Sequence, residues 1–110
     1  VGSDINEEEF SLKIGRDSET GKPRWQTIRL NGKLHSPSEE MPAKVVYDEN
    51  GRPTQKAWFH DNLYHRKSGP AFIKINPENG VIYYEEYRCH GKTHRSWNEP
   101  AWIERDLETG

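Results

Sequence analysis

A repeat constrains this chain more than any other feature, because repeated units are built to pack on one another. Asp17, Asp48, Asn76 and Asp106 mark the same point in successive segments. Three residues before them stand Ile14, Val45, Ile73 and Ile103, all β-branched. Five before stand Leu12, Ala43, Ala71 and Ala101, and six before stand Ser11, Pro42, Pro70 and Pro100. Glycines follow at Gly21, Gly51, Gly80 and Gly110. After the first three glycines the columns continue through Ile28, Trp58 and Tyr87, then Gly32, Asn62 and Gly91, then His35, His65 and His94. The period is 29 or 30 residues, so about three units fill the chain.

Each column has a physical reading. Proline lacks an N–H and sits at or before the first residue of a strand. The stretches "AKVVYD", "AFIKIN" and "AWIERD" then read as strands. Asp or Asn followed by Gly supplies a turn, with glycine tolerating positive φ. "PRWQTIRL", "PTQKAWFH" and "VIYYEEYRC" are rich in aromatic and β-branched residues and read as single return strands. "NGK", "DNL" and "HGK" make a second, tight turn. The predicted fold is mainly β: antiparallel hairpins laid side by side in an elongated, meandering sheet.

Composition sharpens this. Leu, Ile, Val and Phe number 19 of 110 residues, which with a large net charge would mean disorder, but the formal charge is −2. Twelve aromatics, four of them Trp, supply the missing buriable area. The expectation is a folded but thin domain spanning residues 11–110, preceded by an acidic lead-in over residues 1–10. In that lead-in "SDINEEEF" reads either as a short helix capped by Ser3 or Asp4, or as the approach to a strand. A start at Val1 suggests a processed or excised chain. The stop at Gly110, where a return strand would follow, suggests either self-capping or a cut within a longer array.

The single cysteine, Cys89, excludes an intramolecular disulfide, and a reducing, cytoplasmic setting fits it. No apolar run approaches a membrane span, so no membrane partner is expected. The near-neutral charge makes no general case for nucleic acid.

The segments "NGKLH", "DNLYHR…GPA" and "HGKTHR…EPA" resemble the MORN-type repeat family, and its phage and bacterial variants with G-x-x-H-R-x-x-G-P-A most closely. Asn62, Ser36 and Glu99 stand where that pattern has Gly, Arg and Gly. The resemblance spans roughly residues 11–110. It implies a β-hairpin array used as a scaffold or binding module, often a bacterial or phage accessory factor, and it does not imply catalysis.

Candidate sites are weighed against this grammar. His35, His65 and His94 share a column, so adjacent hairpins would space them roughly 5–10 Å apart. Zinc needs its ligands at about 2.0–2.3 Å, so the favoured role is closing the hairpin onto a neighbouring carbonyl or Asp/Asn turn. His60 and His90 fall outside the column. Arg66 and Arg95 either stack on a neighbouring ring or, with Tyr64, Trp97, Lys67 and Lys92, form a basic stripe for nucleic acid. Glu85, Glu86, Glu99 and Glu104 are interleaved and oppose a polyanion. Trp58, in a column with Ile28 and Tyr87, is expected in the core. Trp102 and Phe72 share a column with Lys13 and Lys44 and are expected to face outward, where with Trp97 they would make an aromatic interaction patch.

Enzyme motifs are missing: there is no G-x-S-x-G, P-loop or H-E-x-x-H. Cys89 paired with His60 or His90 is a weak nucleophile reading, since a return-strand thiol is more often packed. Glu85 and Glu86 project to opposite strand faces and cannot share one substrate bond. No catalytic residue, cofactor or metal is expected. The leading expectation is a non-enzymatic module that binds another protein as inhibitor or adaptor, with a homodimer through the C-terminal end as one form. Nucleic-acid binding and a terminal piece of a structural array are the alternatives.

Overall fold

A computed structural model describes residues 9–89, 91–93 and 101–110. Among these the chain is all β, with no helix. Residues 1–8, where a short helix was one option, lie outside the described range, and β1 opens at Phe10, one residue inside the expected lead-in. The main sheet is antiparallel and open, in the order β1 (Phe10–Arg16), β2 (Pro23–Leu30), β4 (Lys44–Tyr47), β5 (Pro53–Ala57), β8 (Phe72–Ile75), β9 (Ile82–Glu86) and β12 (Trp102–Glu104). The short β3 (Lys33–Leu34) folds back on β2. Two small hairpins stand apart from the sheet: β6 (Phe59–His60) with β7 (Leu63–Tyr64), and β10 (Arg88–Cys89) with β11 (Lys92–Thr93).

The turns follow from their residues. Asp17, Asp48, Asn76 and Asp106 each accept, on the side-chain oxygen, a hydrogen bond from the backbone N–H two residues on, at 2.8–3.0 Å. Each also accepts on its carbonyl from the glycine that ends the turn, at 2.8–3.0 Å. Those glycines have φ between 73° and 91°, the left-handed region in which a β-carbon is strained. In the tight turns, Asn31 and Gly32 have φ of 51° and 85°, and Asp61 and Asn62 have 47° and 69°. Two consecutive positive φ values are what a two-residue hairpin with the sheet's own twist requires.

The expected return strand "PTQKAWFH" is split, and the split organises the fold. Ala57 pairs with Lys44 and Phe72 in the sheet, whereas Phe59 pairs with Tyr64 in a separate hairpin. Trp58 is the joint: its N–H donates to Ala71 O at 2.7 Å and its carbonyl accepts from His65 N–H at 3.0 Å. Ile28 makes the same bond to Ala43 O, and Tyr87 to Ala101 O, each at 2.7 Å. "VIYYEEYRC" is divided at Tyr87 in the same way. Beyond Trp58 and Tyr87 the chain leaves the sheet for a small hairpin, whereas β2 runs past Ile28 to Leu30 still paired with β1. Phe59 then packs with Ala43 and Ala57, flanked by Leu34, Tyr64 and Phe72. Alanine suits these positions because a larger side chain would hold the ring off the sheet.

The small hairpins are tied to one another in a second row. Asn62 N–H donates to Leu34 O at 2.9 Å, and Leu34 N–H returns to Asn62 Oδ1 at 2.8 Å. Gly91 N–H donates to Tyr64 O at 2.7 Å.

Pairing register sorts the sheet into two faces. One bears the row Ile14, Gln26, Val45, Lys56, Ile73, Glu85 and Ile103. Aliphatic residues on outgoing strands alternate there with long polar stems on return strands, and Val45 and Ile73 are buried between them. The other face bears the row Lys13, Thr27, Lys44, Ala57, Phe72, Glu86 and Trp102.

Candidate functional site

The histidine column is joined by a residue from outside it. His35 and His60 have ring centroids 4.5 Å apart, and His60 and His65 lie 5.6 Å apart. Sequence spacing missed His60, because its column neighbours are Leu30 and Cys89; stacking of successive hairpins inserts its ring. Asp61, in the next tight turn, places Oδ1 3.4 Å from His35 Nδ1 and Oδ2 3.7 Å from His60 Nε2. His35, His60 and Asp61 are the described residues that could hold a divalent metal, with donor atoms within 4.8 Å of one another. A tetrahedral zinc shell needs donors about 3.3 Å apart, given bonds of about 2.0–2.1 Å. His35 Nδ1 also accepts from the Asp61 N–H at 3.4 Å, so the imidazole already serves the neighbouring turn. His94 lies outside the described residues.

Arg66 lies against a ring. Its Cζ is 3.8 Å from the centroid of the buried Trp58 ring, and Nη1 donates to Pro70 O at 3.3 Å. Gly69 leaves room for this guanidinium: a β-carbon there would stand 3.0 Å from Nη1. Trp58 Nε1 donates to Glu39 O at 2.8 Å. The Glu39 carboxylate accepts from Ser68 N–H and Ser68 Oγ, both at 2.7 Å, and from Lys67 N–H at 3.1 Å. Burial opposes ionisation of Glu39, but these bonds outweigh it and hold its carboxyl below the usual range. The enlarged loop "SPSEEMP" thus clamps the loop after β7, and Arg66 belongs to that clamp.

The other sequence candidates scatter. Tyr64 and Phe72 are half-buried, with rings 6.1 Å apart, and Phe72 lies 5.9 Å from Tyr84. Trp102 is 57% exposed on β12. Phe72 and Trp102 share the expected face, but Glu86 stands between them in the register. Arg95, Trp97 and Pro100 lie outside the described residues. Pro42 and Pro70 precede β4 and β8 by two residues. Glu85 and Glu86 take opposite faces: Glu85 pairs with Arg105, and Glu86 with Arg88 and Tyr84. Cys89 is half-buried on β10, opposite Lys92.

One site has no counterpart among the sequence candidates. Lys13, Trp25, Thr27, Arg29, Lys44 and Val46 line a trough of about 410 Å³ across β1, β2 and β4. Lys13 and Lys44 flank Thr27 on neighbouring strands. Thr27 is 7% exposed, and its Oγ1 is buried with no hydrogen-bond partner. The alternation of "KPRWQTIRL" could have placed Trp25, Thr27 and Arg29 on one face. Only the pairing of β2 with both β1 and β4 brings the two lysines to them.

No helix among the described residues is long and apolar enough to cross a membrane. In comparisons with protein-family models, with curated proteins and with solved structures, nothing matches the chain.

Proposed function

We propose that this chain is a non-enzymatic interaction module that binds a partner protein as inhibitor or adaptor, with the edge strand β12 as its contact. The observation behind this is Trp102. It stands 57% exposed on a strand that, among the described residues, pairs with β9 alone in an open sheet. An edge strand offers unpaired N–H and C=O groups to an incoming strand, and an exposed tryptophan beside them is a typical anchor. The grouping with MORN-type repeats in about three units, and a bacterial or phage origin, rest on the sequence motif and belong to this same reading.

Affinity purification from the native host, read by mass spectrometry, tests it. One protein should be captured stoichiometrically, and Trp102→Ala should abolish the capture. Recovery of nucleic acid alone, stable to moderate salt, would overturn the reading. A dimer in solution that Trp102→Ala dissociates would put a second copy on this edge. A longer reading frame supplying the next strand would put the chain's own continuation there. The nucleic-acid alternative is weaker than its sequence case, because Arg66 lies on Trp58 and bonds Pro70.

A further inference from the structure

We infer that the trough between β1, β2 and β4 binds a phosphate monoester of an alcohol that also bears an aromatic base, the chemistry of a nucleoside 5′-phosphate. It lies at the other end of the sheet from β12 and stands apart from the interaction role proposed above.

The buried hydroxyl of Thr27 is the first ground. Buried polar atoms in folded proteins are almost always partnered, and one left alone weakens the fold. Thr27 Oγ1 has no partner, while its residue lines an open trough. Oγ1 itself is closed to a water-sized probe, so a bound group with acceptor oxygens would complete it once the side chains around it part.

Charge is the second ground. Lys13, Arg29 and Lys44 line the same space, and among the described residues no carboxylate does. Neither lysine has an ion pair among the described residues. Strands stand about 4.7–4.9 Å apart, so Lys13 and Lys44 straddle Thr27 from roughly 10 Å apart at the backbone. Their flexible stems let both ammonium groups close on one anion. Three cations and one hydroxyl lining one trough suit a dianion with three terminal oxygens better than a lone carboxylate.

The third ground is the wall. Trp25 is 37% exposed and Val46 stands opposite it in the register, so a ring has an apolar surface to lie on. The volume of about 410 Å³ falls within the usual range for small-molecule sites. Further along the same face Glu86 and Glu104 stand around Lys74, so the run of unopposed cations is phosphate-sized and does not form a track for a long polyanion.

Calorimetric titration with adenosine 5′-monophosphate, inorganic phosphate and adenosine tests this. The monophosphate should bind one to one and more tightly than either fragment. Thr27→Val keeps the shape and removes the hydroxyl, so it should weaken binding by roughly 10-fold or more without lowering the melting temperature. The double variant Lys13→Ala/Lys44→Ala should abolish binding. A 5′-phosphorylated oligonucleotide that binds better than the mononucleotide, and better than its 5′-hydroxyl twin, would identify a strand terminus as the source; otherwise the source is the free nucleotide. No saturable binding at millimolar monophosphate or phosphate, or unchanged binding in both variants, would overturn the inference. Neither result depends on Trp102, so failure here leaves the edge-strand reading untouched.

Discussion

The indole of Trp25 occupies the space over Gly15 on the neighbouring strand. A β-carbon on Gly15 would stand 2.2 Å from Trp25 Cε2. The two residues are directly paired between β1 and β2, so the missing side chain of one is the seat of the other. Gly15 is not held in the left-handed region, so a substitution there tests space and not backbone strain. Gly15→Val should push the indole off the sheet and cost about 1–3 kcal/mol. Urea unfolding followed by tryptophan fluorescence checks both effects. In a cycle with Trp25→Ala the two costs should be less than additive, because the pair shares one volume.

Thr27→Val should stabilise the free protein by about 1 kcal/mol, since it removes a buried hydroxyl that makes no bond. Valine also keeps the shape of the side chain and suits a strand. A rise in the denaturant midpoint with an unchanged slope is the expected result. A fall would mean that the hydroxyl is bonded in the free protein.

Trp58→Ala should be the most damaging of these changes. The ring is 4% exposed, bonds the Glu39 carbonyl and supports the Arg66 guanidinium. Truncation of a buried tryptophan costs about 3–5 kcal/mol. In a domain with so small a core that is a large part of the usual total of about 5–15 kcal/mol. Circular dichroism at room temperature should show a large unfolded fraction, and Arg66→Lys should show a milder version of the same loss.

Tyr84 ties stability to pH at the alkaline end. Its hydroxyl donates to Glu86 Oε1 at 2.7 Å, and that bond, with burial and the carboxylate charge, pushes the phenol up to about 12. A pKa raised on folding means stability that is fully present below the unfolded value of about 10 and lost as pH rises through the folded value. Absorbance at 295 nm should show one tyrosine ionising late, and Tyr84→Phe should remove that step. At the acid end the sign reverses. Turn N–H groups and Arg24 hold Asp17 at about 2. Asp48 and Asp106 are lowered by the same kind of turn bonds, and Glu39 and Glu86 are also lowered. Their contribution is present above about pH 4 and is lost as pH falls toward 2. Melting temperature should therefore decline steadily over that window.

What could be read from the sequence alone was local. Alternation marked strands, Asp48 with Gly51 and Asn31 with Gly32 marked turns, and the open antiparallel sheet followed from them. The reason is that φ preference and side-chain alternation act within a few residues of one another. The burial of Trp58 was legible in the same way, from its column with Ile28 and Tyr87.

Only the tertiary structure decided which strands leave the sheet and what then meets across it. "PTQKAWFH" reads as one strand, because nothing within it marks Trp58 as a joint. The break exists because Phe59 gains more by packing over Ala43 and Ala57 than by extending the sheet. The same folding-over slides His60 between His35 and His65, and lays Arg66 on Trp58 instead of in solvent. The pairing of β2 with both β1 and β4 gathers Lys13, Thr27 and Lys44, which lie far apart along the chain, into one row. Through-space packing sets these neighbours, and a repeat pattern records only that each unit is built alike.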